Sequence, residues 1–212
     1  EGFTETAFYL QSDGKANTRR GNGRLSRTAP TANQPSDTFA ADPSRPVPAC
    51  PVTETRPLKA AVWGPVDQSA LEDRDDVLVY SSGPLEKPLT FAGTVTARLS
   101  VSTDTPDADW VVKLVDVRPD GVAINLATGI LRGRYRNSLV KPEMMKSGEV
   151  YEITVDLGPC AATIAPGHQL RVDICGSLFP LYDRNPNTAE GIFSAKTVIA
   201  TEQIHHKPGM LS

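Results

Sequence analysis

The most constraining feature of this chain is a two-residue alternation of apolar and polar side chains in its second half. Residues 94–102, 151–157 and 170–175 all alternate in this way, which is typical of strands that bury one face and solvate the other. Residues 110–117 are apolar on both faces apart from two charged positions, as expected of a central strand. Because an amphipathic helix repeats every three to four residues, a period of two predicts an all-β fold.

Glycine and proline separate these strands. Pro119-Asp120-Gly121 is a tight turn, because proline fixes one φ angle and glycine accepts a positive one. Residues 137–146 are helix-like, but Pro142 limits them to a turn or two. Strands spaced about 8–12 residues apart and joined by such turns predict a jelly-roll β-sandwich. Shorter candidate strands cover residues 6–11, 77–81, 122–126, 128–135 and 196–204.

Residues 12–76 differ from the rest of the chain. Seven prolines lie between Ser12 and Pro57, among many small polar residues. A flexible linker is one interpretation. Apolar residues within the segment favour an ordered loop instead, because a linker would lack such anchors. We expect one β-sandwich domain over residues 1–212, with 12–76 as a long, irregular, Pro-rich loop region inside it.

Composition argues against several classes of protein. The formal net charge of −3 disfavours a nucleic-acid-binding surface. No apolar run approaches the roughly 20 residues that cross a bilayer, so we expect no membrane partner. The amino terminus has no basic region of a signal peptide, and we expect the chain to be part of a longer protein. Three cysteines without CxxC spacing and no N-x-S/T sequon favour a reduced, cytoplasmic protein but leave the compartment open.

The sequence contains none of the common catalytic motifs. It lacks the G-x-S-x-G nucleophile elbow, the H-E-x-x-H zinc motif and the phosphate-binding P-loop. His168, His205 and His206 assemble no recognisable triad with a serine and an aspartate. Residues 104–109 carry three aspartates that suit Ca²⁺, but an Asx-rich turn between strands is the simpler interpretation. We predict no catalytic residue, no metal site and no cofactor in this chain.

The segment 179–188 combines two aromatics, prolines and a charged pair directly after a predicted strand. Such a loop should be ordered but irregular. One interpretation is a loop pinned by its own hydrogen bonds; the other is a contact with another domain or a ligand, because loops on a rigid scaffold carry function. We expect an interdomain contact through Phe179, Tyr182, Asp183, Arg184 and Asn185.

Several motifs, each weak alone, occur in one order along nearly the whole chain. They include Phe8-Tyr9-Leu10, Asp37-Thr38-Phe39, Gly64-Pro65-Val66-Asp67-Gln68, Arg74-Asp75-Asp76-Val77-Leu78, Gly129-Ile130-Leu131-Arg132 and Phe179-Pro180-Leu181-Tyr182-Asp183-Arg184-Asn185-Pro186. In this order they resemble the C-terminal domain of the X-prolyl dipeptidyl-peptidase and cocaine-esterase group of serine hydrolases.

This resemblance implies a galactose-binding-like jelly roll that follows an upstream α/β-hydrolase domain. In the family the catalytic serine, aspartate and histidine lie in that upstream domain, which forms an acyl-enzyme and hydrolyses it. The present chain would pack against the hydrolase domain and help to close its cleft. The loop before Gly64 would reach the substrate, which makes Leu58, Val62 and Trp63 the expected cleft wall.

The chain departs from the family in two places. Pro51, Glu54, Arg56 and Pro57 replace a glycine-rich, more apolar stretch in the cleft loop, so the substrate stays open. The family also continues into a last apolar strand beyond the point where this chain ends. An absent strand would leave an exposed sheet edge, and we expect that edge to be solvent-exposed or to form a homo-oligomer.

Two other functions remain open from the residues alone. A stand-alone carbohydrate-binding module of the same fold would need an exposed aromatic platform, for which Trp63 is the candidate, since the pattern places Trp110 in the core. A calcium-stabilised interaction module would rest on the aspartates of residues 104–109.

Overall fold

The computed structural model describes residues 4–53, 64–206 and 208. Within them the fold is a β-sandwich of ten strands with two single-turn 3-10 helices at Gly133–Tyr135 and Gly191–Phe193. The strands are β1 (Tyr9–Gln11), β2 (Arg24–Ser26), β3 (Gln34–Ala41), β4 (Val77–Ser81), β5 (Leu89–Thr103), β6 (Asp109–Val117), β7 (Ala123–Arg132), β8 (Tyr151–Ile164), β9 (Gln169–Cys175) and β10 (Ala200–His206). The predicted all-β jelly-roll sandwich is confirmed. No helix in the described part of the chain has the length and apolarity needed to span a bilayer.

The strands form two sheets with several crossovers. One sheet has the order β1-β2-β4-β9-β6-β7 and the other β3-β10-β5-β8. Neighbouring strands are antiparallel except for the parallel pair β2 and β4. Alternate side chains from both sheets meet in one core, which includes the fully buried Trp110, Leu99 and Ile174. The alternation in the sequence therefore marks the faces that build this core.

Most predicted strands lie where the pattern placed them. β4 and β9 match within a residue, and the two short strands expected over 122–135 are one strand, β7, paired to β6 through a register shift after Leu114. Gly129 of β7 comes so close to β8 that a Cβ atom there would lie 2.3 Å from the carbonyl oxygen of Asp156. Glycine at this position therefore allows the two sheets to approach each other at this side.

The Pro-rich region is more regular than its composition suggested. The long Pro-rich loop region predicted over residues 12–76 includes two strands, β2 and β3. β3 is an edge strand paired to β10, a place where Pro35 is tolerated because an edge needs fewer N–H donors. Further along, Val47 and Ala49 pack on Val79 across the outer face of the six-stranded sheet. The segment 43–53 thus forms an ordered cover on this sheet.

β10 is the last strand described, and it lies between β3 and β5. β10 is therefore paired on both sides, and the exposed edge expected beside an absent last strand would be one of the outer strands. The outer strands of the two sheets are β1, β7, β3 and β8. Pairing of such an edge with a second copy stays a prediction.

A buried carboxylate, Asp37, ties the two sheets together. Asp37 lies on β3 in the four-stranded sheet. One of its oxygens accepts hydrogen bonds from the Ser12 hydroxyl (2.7 Å) and the Ala16 amide (2.8 Å). The other accepts from the Tyr80 hydroxyl of β4 and from Nε2 of His206 of β10, both at 2.8 Å. Burial alone would raise the pKa of Asp37, but these four donors together hold it below its usual range.

Replacing Asp37 by alanine should lower the free energy of unfolding by about 3 kcal/mol or more, because three buried polar side chains lose their acceptor. Urea denaturation followed by the fluorescence of the buried Trp110 measures this. Asp75→Ala is the matched control, since Asp75 forms an exposed ion pair with Arg45 and should leave the midpoint in place. Equal midpoints for the two variants would contradict this role of Asp37.

Candidate functional site

The candidate site lies at the end of the six-stranded sheet where β6 begins and β7 ends. Asp109 and Arg132 are cross-strand partners there. Arg132 donates to both carboxylate oxygens of Asp109, at 2.8 and 2.9 Å. One turn further out, Arg134 donates its backbone amide and Nε to Asp107, at 2.9 and 2.7 Å. The Arg132–Asp109 pair is therefore bidentate, a geometry that fixes the planes of both groups, and both oxygens of Asp107 are held by the backbone amide and the Nε of Arg134.

Asn185 joins these two pairs to the loop that follows β9. Its Nδ2 donates to Asp107 at 3.0 Å and to Asp109 at 2.8 Å, and its Oδ1 accepts the amide of Asn187 at 2.9 Å. Arg134 completes the attachment by donating to the carbonyl oxygens of the loop residues Thr188 and Ala189. Burial raises the pKa of Asp109, against the opposing effects of Arg132 and Asn185. The loop is thus held by side chains of β6, β7 and their flanks.

The residues expected at an interdomain contact lie on this loop and differ in exposure. Tyr182, Asp183 and Arg184 are exposed, Phe179 is half-buried and Asn185 is buried. Arg184 donates to the carbonyl oxygen of Pro43 at 3.0 Å and lies over the Phe179 ring. The other interpretation is a loop pinned by hydrogen bonds among residues 183–185, but the side-chain donors of Arg184 and Asn185 bind Pro43, Asp107 and Asp109 instead. The exposed trio is available to a partner, and the interdomain contact stays a prediction.

The expected cleft-wall residues Leu58, Val62 and Trp63 lie outside the described residues. The two ends of their loop are described and firmly attached. On one side the Ala49 amide donates to the carbonyl oxygen of Phe179 at 2.7 Å. On the other side the Val66 amide donates to Oδ1 of Asn125 at 2.7 Å. We call the loop between β9 and β10, residues 176–199, the contact loop. The cleft loop starts beside it, at Ala49, and its other end at Val66 is attached to β7.

A buried polar cluster lies beneath these attachment points. Lys113 is the charged residue in the middle of apolar β6, and its Nζ donates to Oε1 of Gln68 at 2.8 Å. Its cross-strand neighbour on β9 is Asp173, of which Oδ1 has no hydrogen-bond partner. Arg171, next on the same face of β9, donates to Glu72. A charged residue in a central strand predicts a buried partner, which is the sequence signal for this cluster.

Other polar groups are committed to structural hydrogen bonds. His168 lies 2.8 Å from Asp116, and His205 lies between Ser36 and Ser102. Of the aspartates in the candidate calcium loop, two bind arginines and Asp104 accepts the Thr201 amide at 2.8 Å. No group of three histidine, cysteine or carboxylate side chains in the described ranges is arranged to hold a metal ion. Trp110 is fully buried, as the pattern predicted.

Replacing Asn185 by alanine should lower the free energy of unfolding by about 1–3 kcal/mol, because Asp107, Asp109 and the Asn187 amide each lose a buried partner. Hydrogen exchange should also become faster at the Asn187 amide. Asn137→Ala serves as control, since the Asn137 side chain makes an exposed hydrogen bond with Glu143. Unchanged exchange at Asn187 in the Asn185 variant would contradict the proposed attachment.

Asp173 should make stability depend on pH. Burial raises its pKa to about 8, with a further rise from Glu72 against Lys113 and Arg171. The folded state therefore keeps a proton that the unfolded chain releases, so the free energy of unfolding falls as pH rises from about 4 to 8. Asp173→Asn removes this proton and should flatten the curve by up to about 1.4 kcal/mol per pH unit.

Urea titrations of both proteins from pH 5 to 8 provide the measurement. Asp75→Asn, at an exposed position, should keep the slope of the unmodified chain. Parallel curves for the unmodified chain and Asp173→Asn would show that Asp173 is ionised in the folded state.

Known proteins match this chain over nearly its whole length. The family model described as the X-Pro dipeptidyl-peptidase C-terminal non-catalytic domain matches residues 3–211. A cocaine esterase from Rhodococcus sp. (strain MB1 Bresler) is 42% identical over 207 residues, which are 96% of this chain and 35% of that protein.

Two solved structures are also similar. A selenomethionine-labelled α-amino acid ester hydrolase superposes with a TM-score of 0.85 at 34% identity, over 98% of this chain and 35% of that one. An aminopeptidase from the marine sediment archaeon Thaumarchaeota archaeon gives 0.80 at 34% identity, over 94% and 34% of the two chains. The chain thus spans about a third of the length of each of these proteins.

Proposed function

We propose that this chain, which belongs to the X-Pro dipeptidyl-peptidase C-terminal non-catalytic domain family, packs against an upstream α/β-hydrolase domain and helps to shape its substrate cleft. The hydrolase domain would supply the serine, histidine and aspartate that attack an ester or amide carbonyl, form an acyl-enzyme and release it with water. The present chain would contribute contacts and a cleft wall.

One observation carries the packing proposal: large apolar side chains are exposed at one end of the sandwich. Phe193 is 90% exposed and Ile192 51%, on the loop that also carries Tyr182. Leu139 and Val140 are exposed on the loop that follows β7. Exposed apolar groups of this size are typical of surfaces that bind another protein or domain.

Arg134 supports both of these loops. Its side chain holds the carbonyl oxygens of Thr188 and Ala189, and its backbone oxygen accepts the amide of Glu143 at 2.8 Å. The exposed apolar residues therefore stand on a fixed base. A rigid base favours binding because little side-chain or loop freedom is lost when the surface is covered.

The position of the cleft loop supports the second half of the proposal. Its first attachment, Ala49, is bonded to Phe179 at the base of the contact loop. A hydrolase domain that covers Tyr182 would therefore lie close to the start of the cleft loop. We infer that Leu58, Val62 and Trp63 then line the cleft. The replacement of the glycine-rich family pattern by Pro51, Glu54, Arg56 and Pro57 in the same loop would affect which acyl or leaving group fits.

The alternative function, a stand-alone carbohydrate-binding module, rests on an aromatic platform at Trp63, which lies outside the described residues. Trp110, the other tryptophan, is in the core. The packing proposal is favoured over this alternative, because exposed apolar residues lie on two loops that Arg134 holds in place.

The full-length protein that contains this chain should hydrolyse p-nitrophenyl esters or chromogenic X-Pro peptides, and the 212-residue chain alone should not. In the full-length protein, Trp63→Ala should change KM more than kcat if Trp63 contacts substrate equally in the ground and transition states. Steady-state kinetics with a series of acyl groups measures both parameters.

Phe91→Leu is a suitable control, because Phe91 lies on β5 in the four-stranded sheet, whereas the described end of the cleft loop at Val66 is attached to β7 of the six-stranded sheet. Hydrolysis by the isolated chain that a serine-directed inhibitor abolishes would overturn the non-catalytic role. Light scattering on the same preparations tests the predicted homo-oligomer, for which a monomer at every concentration would be the contrary result.

A further inference from the structure

We propose that the open pocket beside Tyr182 is a socket for a cationic side chain, arginine or lysine, of the hydrolase domain. This inference rests on the proposed function, since it names the chemistry of the partner at the same loop. The pocket has a volume of about 220 Å³, several times the roughly 30 Å³ that a water molecule occupies in the liquid. Its lining residues are Asp109, Ile130, Arg132, Tyr135, Tyr182 and Asp183.

Charge within the pocket selects a cation. The Arg132 guanidinium is already paired with both oxygens of Asp109, and its Nη2 also reaches the backbone oxygen of Asp183 at 3.3 Å. The Asp183 carboxylate, by contrast, makes no side-chain hydrogen bond or ion pair with the described residues. Once Asp109 and Arg132 neutralise each other, the pocket keeps the single negative charge of Asp183.

The aromatic walls point the same way. Tyr135 belongs to the 3-10 turn after β7, and Tyr182 is 47% exposed on the contact loop. Neither phenol hydroxyl has a hydrogen-bond partner among the described residues, so both can accept from an incoming N–H group. Tyrosine rings also attract ammonium and guanidinium groups within about 6 Å. Arg136 already lies 4.4 Å above the Tyr151 ring elsewhere in this domain.

Other occupants fit less well. An anion would be repelled by the Asp183 carboxylate, and the guanidinium that lines the pocket, Arg132, is already paired with Asp109. A purely apolar side chain would leave the Asp183 carboxylate without solvent or partner, at a cost in free energy. A cationic side chain satisfies the carboxylate and both phenols, while Ile130 can pack against its aliphatic stem.

The first experiment titrates the ¹⁵N-labelled 212-residue chain with N-methylguanidinium and, separately, with acetate. N-methylguanidinium should shift the amide resonances of Tyr135, Tyr182 and Asp183, and acetate should not. Asp183→Asn and Tyr182→Ala should each weaken binding about tenfold, since one lost contact of this kind is worth about 1.4 kcal/mol. Neither side chain supports the fold through a hydrogen bond, so both variants should give the spectrum of a folded chain.

Glu86→Gln is the matched control, because it removes one exposed carboxylate from the loop between β4 and β5, at the opposite end of the six-stranded sheet. It should bind N-methylguanidinium within twofold of the unmodified chain. Equal affinity of Asp183→Asn and the unmodified chain, or shifts spread over the whole surface, would overturn the socket.

The second experiment identifies the occupant in the full-length protein. There the socket should be filled, so N-methylguanidinium should leave the same resonances, or hydrogen exchange of residues 181–184, unchanged. Calorimetry reports packing separately: a single unfolding transition indicates that the domains are joined cooperatively. One transition together with an accessible, probe-binding pocket would overturn the socket and leave the packing proposal standing. Two independent transitions would overturn the packing proposal itself.

Discussion

The structure depends on a carboxylate that is buried between two sheets and fully surrounded by donors. Asp37 lies on an edge strand, yet it receives hydrogen bonds from both layers of the sandwich. A buried charge of this kind costs free energy unless every lone pair is used. Because Ser12, Ala16, Tyr80 and His206 must all be in place for that, the carboxylate specifies one register for β3 and one position for the segment after β1.

The same principle operates at the candidate site. Asp107 and Asp109 would be costly in the interior without Arg132, Arg134 and Asn185. These partners come from β7, from the 3-10 turn that follows it and from the loop after β9. An irregular loop gains a defined position from the strands in this way. The hydrogen bonds are directed inwards, which leaves Tyr182 and Asp183 facing out. The hydrogen bonds that the buried carboxylates require therefore also order a surface loop that exposes apolar and charged groups.

The sequence predicts the strands that carry a clear alternation and misses those that do not. β5, β6, β8 and β9 follow from their period of two. β2 has three residues, too few to show a period. β3 has the polar residue Asp37 at a core-facing position, so its sequence lacks the apolar alternation of a strand and resembles a polar loop. The family resemblance indicates that this region is ordered, but the residues do not say how.

The contact loop shows a second limit of prediction from sequence. Its unusual composition marks it, and the structure places its exposed residues together. Its attachment depends on Asp107 and Asp109, which precede Asn185 by 78 and 76 residues. Pairings over such separations leave no local periodicity. Lys113 is an exception among these long-range pairings, because a lysine in an apolar strand predicts a buried acceptor. That acceptor is Gln68.

The cover on the six-stranded sheet has a consequence for how this domain can evolve. The cover and the cleft loop are one continuous stretch of chain, from the β-sheet contact of Ala49 to that of Gln68. If the loop lines the cleft as proposed, substitutions that adapt it to a new substrate would also act on Gln68, whose side chain is the buried partner of Lys113. Under the proposed cleft role, substrate range and thermal tolerance would be coupled through these attachments, and variants selected for a broader cleft would need compensating changes in the cover.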